Sequence, residues 1–271
     1  MDRYVVIGNP VAHSLSPAIH GAFAQATGQA LEYEKLLVPQ GEFVSFARKF
    51  FDGGGRGANV TLPFKVDAFE WAEHRSERAK VAGAANFLMR RDGAIHADNT
   101  DGAGLVTDLM RNHGVRLDRA SILILGAGGA TRGIVAPLLA QGPERVVIAN
   151  RTASRAEELV PRFRGAAEVE GVALDAIPRA RYDLVLNATS TSTHGETLEL
   201  PEHALPRGAF AYDLAYGAGA RAFVERARAA GMRAADGLGM LVEQAAESFE
   251  LWRGVRPETA PVLASLRARM A

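Results

Sequence analysis

The stretch Ser121-Ile-Leu-Ile-Leu-Gly-Ala-Gly-Gly-Ala-Thr-Arg132, followed by Arg145-Val-Val-Ile-Ala-Asn-Arg-Thr-Ala-Ser-Arg155, decides the class of fold. Ser121 to Leu125 is a short, partly β-branched apolar run closed by glycine, which reads as a buried strand. Gly126-Ala127-Gly128-Gly129-Ala130-Thr131 then opens a helix expected over Ala130 to Leu139. A second strand, Arg145 to Ala149, and a helix over Ala153 to Phe163 follow. Strand, glycine turn, helix and strand make a βαβ unit whose helix start presents free backbone amides to a pyrophosphate. Thr131 stands where a third glycine is usual, so the reading rests on the flanking elements rather than on the motif alone. No Gly-Lys-Ser/Thr follows, which argues against a kinase-type phosphate loop.

About twenty residues past such a loop, an NAD-binding unit offers an acid to the ribose hydroxyls. None is present here. The second strand ends instead in Asn150-Arg151-Thr152, with Arg155 near the start of the next helix. Two guanidinium groups, an amide and a hydroxyl suit a 2′-phosphate, which a carboxylate would repel. The expected cofactor is therefore NADP(H), held by Gly126, Ala127, Gly128, Gly129, Ala130, Asn150, Arg151, Thr152 and Arg155.

Outward from this unit, short apolar runs alternate with segments of helical spacing, the pattern of an α/β protein built on parallel sheets. Before it come strand Tyr4 to Ile7, helix Pro17 to Thr27, strand Leu31 to Val38, helix Glu42 to Phe51, strand Gly57 to Val60 and a helix near Phe64 to Ala72. A hairpin over Asn86 to Asp98 turns at Arg91-Asp-Gly93, and Thr100 to Arg111 is helical. After it come strands Leu184 to Asn187 and Phe210 to Tyr212, then a helix over Met240 to Trp252. Asp236-Gly-Leu-Gly239 is a candidate hinge before that helix. The expected organisation is an N-terminal α/β substrate domain with a mainly parallel sheet (1–101), a Rossmann-type domain (102–237) and C-terminal helices returning to the first domain (238–271). A crevice between two such domains is the expected ligand site.

The bulk composition narrows the partners. With 271 residues and 48% hydrophobic content the chain can bury a full core. Thirty-one basic residues balance thirty-one acidic ones, so no net field recruits nucleic acid or an anionic membrane. Cysteine is absent, which removes disulfides and thiolate chemistry. The apolar run near the N-terminus is too short for a signal sequence, and no run approaches a membrane span. A cytoplasmic protein with a small-molecule substrate is expected, as monomer or homodimer. Asn59-Val-Thr61, Asn150-Arg-Thr152 and Asn187-Ala-Thr189 match a glycosylation pattern, but each follows an apolar strand and reads as incidental. The seven histidines form no ligand-spaced cluster, so no metal is expected, and His13 and His20 read as structural.

A second set of polar residues falls at the strand ends of the first domain, where α/β sheets hold ligands. Ser14 and Ser16 follow the first strand, Thr61 and Lys65 follow Val60, Asn86 follows Gly83-Ala-Ala, and Asp98-Asn-Thr-Asp101 closes the hairpin. Ser16-Pro17 also suits a helix start. Such short polar side chains can bond several hydroxyls of one small molecule.

Together, Gly8-Asn-Pro10, His13-Ser14-Leu-Ser16-Pro17, Asn59-Val-Thr61-Leu-Pro63-Phe-Lys65, Gly83-Ala-Ala-Asn86, Asp98-Asn-Thr-Asp101-Gly102, the glycine loop, Asn150-Arg151-Thr152 and Asp236-Gly-Leu-Gly-Met240 resemble the shikimate dehydrogenase family along the whole chain. The resemblance implies reversible reduction of 3-dehydroshikimate to shikimate with NADPH. It implies Lys65 and Asp101 as the catalytic pair and shikimate bound by Ser14, Ser16, Thr61, Lys65, Asn86, Asp101, Tyr216 and Gln244. It adds Leu214 and Gly237 near the nicotinamide and Glu77 as a further cofactor contact. Gly21, Phe87 and the residues after Tyr216 depart from the usual family pattern. A lysine is protonated at neutral pH, which suits proton donation to the alkoxide formed as hydride reaches a ketone. The alternatives are a quinate or dual quinate/shikimate dehydrogenase and a non-catalytic NADP-binding regulatory module. Both serines and the NADP signature fit the shikimate reading better than quinate, and retention of Lys65 with Asp101 argues against the module.

Overall fold

The computed structural model describes residues 1–163, 167–189 and 198–270. By contacts the chain divides into two compact units, Met1–Gly104 with Val242–Ala271, and Leu105–Leu241.

In the first unit, β1 (Asp2–Gly8), β2 (Leu31–Leu37), β3 (Gly55–Val60), β4 (His74–Arg75), β5 (Phe87–Arg91) and β6 (Ala94–Asp98) form one sheet in the order β2-β1-β3-β5-β6-β4. Both neighbours of β1 run parallel to it, whereas β5 is antiparallel to β3 and to β6. The hairpin turns at Asp92-Gly93, both with positive φ, as a two-residue turn between twisted strands requires. Because β5 runs backwards, its first residues lie beside the last residues of β3 and β6. The register pairs Asn59 with Phe87 and Phe87 with Asp98, and the ladder continues as Val60 N–H donates to Asn86 O and Asn86 N–H to Asp98 O. Three polar segments distant in sequence are thus gathered at one sheet end.

Helix Ser16–Thr27 starts on Pro17, whose missing N–H costs nothing in a first turn, and ends at Gly28 in the left-handed conformation. The sheet buries Ile7, Ala58, Val60 and Leu88 against Phe51 and Phe64. Burial of each of these phenylalanines contributes about 1.5–3 kcal/mol. Helix Leu238–Arg253 lays Trp252 on the sheet, where its indole N–H donates to Leu88 O at 3.1 Å. Phe87, one of the departures from the family pattern, stacks on Trp252 with ring centroids 5.2 Å apart. Gly21, another, leaves open space where a side chain would stand.

In the second unit, β7 (Ser121–Leu125), β8 (Arg145–Asn150), β9 (Glu168–Ala173), β10 (Leu184–Asn187), β11 (Phe210–Asp213) and β12 (Arg233–Asp236) pair in parallel throughout, in the order β12-β11-β10-β7-β8-β9. Numbered within the unit this is the 3-2-1-4-5-6 order of a Rossmann sheet, whose strand order reverses between β7 and β10. Its core joins Leu123, Val147, Val185 and Ala211 to Tyr182 and Phe223.

One expectation changes. The helix expected over Ala153 to Phe163 stops at Glu157 and resumes as a 3-10 turn, Val160–Phe163, because Pro161 cannot continue an α-helical ladder. Asp236-Gly-Leu-Gly239 is a point of close packing. A Cβ on Gly237 would stand 2.3 Å from Leu214 O, and one on Gly239 2.0 Å from the Asp108 carboxylate.

Gly57 sits under Trp252, and a Cβ there would lie 2.2 Å from the indole nitrogen. Gly57→Ala is therefore expected to destabilise the protein by about 1–3 kcal/mol through overpacking. Thermal unfolding checks this, and an unchanged melting temperature would refute the packing assignment.

Candidate active site

Lys65 opens helix Lys65–Trp71 just past β3, and Asp101 opens helix Asp101–Thr107 just past β6. The Lys65 ammonium donates to Asp101 Oδ2 at 2.6 Å. Asn86 Nδ2 donates to the other carboxylate oxygen at 2.8 Å, and Gln244 Oε1 lies 3.2 Å from the same amide. The orientation of Asn86 follows from its surroundings. Its Oδ1 accepts the backbone N–H of Thr100 at 2.8 Å, a group that can only donate, so its NH2 must face Asp101. Lysine carries three donors, which leaves Lys65 able to meet a second partner at Nζ.

Thr61 stands against Gly8, whose missing Cβ would lie 2.5 Å from the Thr61 methyl, and its N–H donates to Ile7 O. The loop after β1 brings Ser14 Oγ within 3.2 Å of Ser16 Oγ. The structure therefore brings Lys65, Asp101, Asn86 and Gln244 into direct contact, with Ser14 beside Ser16 and Thr61 at the end of β3. Glu77 lies in the same unit on the exposed first turn of helix Glu77–Ala82 and pairs with Lys80.

A second layer holds the segment leading to Asp101. Arg78 bonds both oxygens of Asp98 and also Glu247 on helix Leu238–Arg253. Asn99 Nδ2 donates to Ala84 O, and its Oδ1 accepts from Asp101 N–H. Arg78 was not singled out in the sequence, where one arginine in a charged helix resembles any solvated one. Burial works to raise the Asp98 pKa, but hydrogen bonds from Arg78, Ser76 and the Asn99 N–H outweigh it and hold the carboxyl below its ordinary 3.8. His20 is fully buried and stacked on Tyr33 at 4.3 Å, and burial lowers its pKa to about 3, consistent with a structural ring.

In the second unit the glycine loop leaves β7 at the reversal of strand order. Gly126 has φ of 104°, and a Cβ there would stand 3.0 Å from Ala188 O beyond β10, so the position needs glycine twice over. Gly128 and Gly129 face open space, which leaves the backbone at the start of helix Gly129–Leu139 accessible. Thr131, in the place of the third glycine, is fully buried and donates to Gly126 O at 2.8 Å, so its hydroxyl is satisfied within the loop. Past β8, Asn150 Nδ2 donates to Thr152 O, while Arg151 and Arg155 are exposed and, among the described residues, form no ion pair. These donors fit a phosphorylated dinucleotide. Leu214 and Gly237 meet at the ends of β11 and β12, and Tyr216 follows, half-buried, its hydroxyl pKa raised by burial.

A Rossmann sheet with an open glycine loop, and an α/β unit carrying a paired lysine and aspartate, define the class of dinucleotide-dependent oxidoreductases. Comparison with known proteins narrows the class. Residues 6–88 match the shikimate dehydrogenase substrate binding domain, 108–216 match shikimate/quinate 5-dehydrogenase and 237–267 match the shikimate 5′-dehydrogenase C-terminal domain. A shikimate dehydrogenase (NADP(+)) of Cupriavidus necator is 51% identical over 99% of this chain and 94% of its own. The crystal structure of an Ael1 enzyme from Pseudomonas putida superposes with a TM-score of 0.94 at 46% identity, covering 98% of each chain. Shikimate 5-dehydrogenase from Thermus thermophilus, in complex with NADP(H) and shikimate, gives 0.85 at 31% identity over 99% of each. The chain belongs to the shikimate dehydrogenase family.

The Asp98 network makes a pH prediction. A carboxyl held below its unfolded value contributes stability that is complete above that value and lost as pH falls through the folded one. Wild-type protein should lose stability as pH drops below about 4. Arg78→Met should be less stable at neutral pH and lose less on acidification. Urea titrations at pH 7 and pH 3 compare the two, and equal losses would show that Arg78 does not hold Asp98.

Proposed function

We propose that this chain reduces 3-dehydroshikimate to shikimate with NADPH, reversibly, as an NADP-dependent shikimate dehydrogenase of aromatic amino acid biosynthesis. The observation that carries the reading is the 2.6 Å contact between Lys65 and Asp101, with Asn86 on the second carboxylate oxygen.

NADPH, when bound, supplies the hydride. The positive charge on Lys65 stabilises the carbonyl oxygen of the substrate as negative charge develops there, and Nζ then donates a proton to it and becomes neutral. Asp101 accepts from the ammonium and so fixes where Nζ points, while Asn86 keeps the carboxylate from turning away. In the oxidising direction Lys65 begins neutral and takes the proton from the shikimate hydroxyl. Ser14 and Ser16 donate to the substrate carboxylate, and Thr61, Asn86, Tyr216 and Gln244 meet its hydroxyls. Gly126 to Ala130 receive the pyrophosphate, Asn150, Arg151, Thr152 and Arg155 the 2′-phosphate, and Leu214 and Gly237 border the nicotinamide.

Because general acid catalysis contributes about 10²–10⁴ in rate, Lys65→Ala should lower kcat for 3-dehydroshikimate by about that factor. Its affinity for NADPH, read by fluorescence titration, should stay within about twofold. Equal loss of turnover and NADPH binding would remove Lys65 from the role assigned.

Cofactor choice is tested separately. Replacing Arg151 or Arg155 by alanine removes a charge-assisted hydrogen bond of about 1.5–3 kcal/mol, so KM for NADPH should rise about ten- to a hundredfold. Activity with NADH should be little changed, and parallel losses with both cofactors would refute the 2′-phosphate assignment.

A further inference from the structure

Behind the Lys65–Asp101 pair runs a buried chain of polar groups that reaches helix Leu238–Arg253. Asn59, on β3, accepts the Tyr33 hydroxyl on Oδ1 at 2.7 Å. Its Nδ2 donates to Ser248 Oγ at 3.0 Å and to Asn86 O at 3.3 Å. Ser248 is fully buried. Its Oγ bonds the Gln244 carbonyl at 3.0 Å and stands 3.2 Å from Thr100 Oγ1. Thr100, also fully buried, sits 2.9 Å from Asn86 Nδ2.

The directions of these bonds follow from what each group can do. A backbone carbonyl only accepts, so Ser248 spends its one proton on Gln244 O. Ser248 Oγ therefore accepts from both Asn59 Nδ2 and the Thr100 hydroxyl. Thr100, having given its proton to Ser248, turns a lone pair toward Asn86 Nδ2. The remaining Asn86 N–H points at Asp101, 2.8 Å away. One hydroxyl thus sets the proton direction of a chain ending on the catalytic carboxylate. It also closes on the carbonyl of Gln244, one turn earlier on the same helix face.

We propose that Ser248 is a positioning residue for the Lys65–Asp101 pair, acting through Thr100 and Asn86. The inference rests on the dehydrogenase reading above. Without the Ser248 hydroxyl, the Thr100 proton turns to Asn86 Oδ1 at 3.2 Å or to Gln244 Oε1 at 3.4 Å. Either choice shifts the donors around Asp101 and the side chain expected to meet the substrate.

The test is a double-mutant cycle on shikimate oxidation. Ser248→Ala and Thr100→Val should each lower kcat with shikimate about five- to tenfold, the weight of one buried hydrogen bond, leaving KM for NADP+ unchanged. Thr100→Ser, which keeps the hydroxyl, should stay close to wild type. The double variant should be no slower than Thr100→Val alone, because both changes cut the same bond. Rates are normalised to the folded fraction from circular dichroism, so lost fold does not count as lost positioning. Wild-type kcat in Ser248→Ala, or losses that multiply in the double variant, would overturn the inference. Failure of the wild-type enzyme to oxidise shikimate with NADP+ would instead overturn the functional reading.

Discussion

A carboxylate as sheltered as Asp101, with its side chain 13% exposed, costs several kcal/mol to desolvate unless charge and donors meet it. Lys65 and Asn86 do so on separate oxygens, and much of the first unit follows from supplying those two partners at one point. Lys65 must come from the turn after β3 and Asp101 from the turn after β6. In an all-parallel sheet, Asn86 at the start of β5 would lie at the opposite end. The antiparallel hairpin reverses that strand and delivers the amide. The departure from a wholly parallel sheet is thus tied to meeting the Asp101 carboxylate. Arg78, Asp98 and Asn99 then hold the connecting segment so that the carboxylate is met in one orientation.

The second unit solves a different problem, close approach of a polyanion to backbone. Reversal of strand order between β7 and β10 opens a crevice above the sheet, and the chain crosses it at Gly126, where a side chain would strike the backbone after β10. The helix that follows offers its free N–H groups there. Arg151 and Arg155 stand exposed past β8 and, among the described residues, form no ion pair, so their charge suits phosphate. Thr131 shows how the motif accommodates a side chain at its third position, because the buried hydroxyl spends its proton on Gly126 O.

Legibility in the sequence depended on how local the signal was. Strands Ser121–Leu125 and Leu184–Asn187 match their apolar runs residue for residue, since a strand buried on both faces needs an unbroken run. β9 escaped notice because Glu168-Val-Glu170-Gly-Val-Ala173 lies at the sheet edge, where polar residues are allowed. The glycine loop and the arginines were readable from chemistry at short spacing. Lys65, Asp101 and Asn86 were readable as polar residues at strand ends, but their mutual contact depends on strand direction, which no local pattern encodes. Asn59 reads as part of an incidental glycosylation match and of the family motif, although an amide inside an apolar strand is itself a signal of a buried bond. Ser248, Asp108 and Tyr212 gave none, because each has a partner far off in sequence, Asn59 189 residues from Ser248, Tyr212 104 from Asp108 and Met240 28 from Tyr212.

The glycines at 237 and 239 have a packing role that composition does not display. Two glycines before a long helix read as freedom, yet neither has the positive φ that glycine alone adopts easily. Their hydrogens face neighbours that leave no space for carbon. Asp108, fully buried in a π-helical turn, accepts the Tyr212 hydroxyl at 2.7 Å and Asn112 Nδ2 at 2.8 Å. Burial works to raise its pKa, but bonds from His113, Tyr212 and Asn112 outweigh it, so the carboxyl stays ionised. Tyr212 Oη in turn accepts the Met240 N–H at 3.2 Å. A buried charge held by several donors cannot move without losing them, so the start of helix Leu238–Arg253 is fixed against Asp108. That is why residues 238–241 group with the second unit although the rest of the helix belongs to the first, and why glycine at 239 is a requirement of packing.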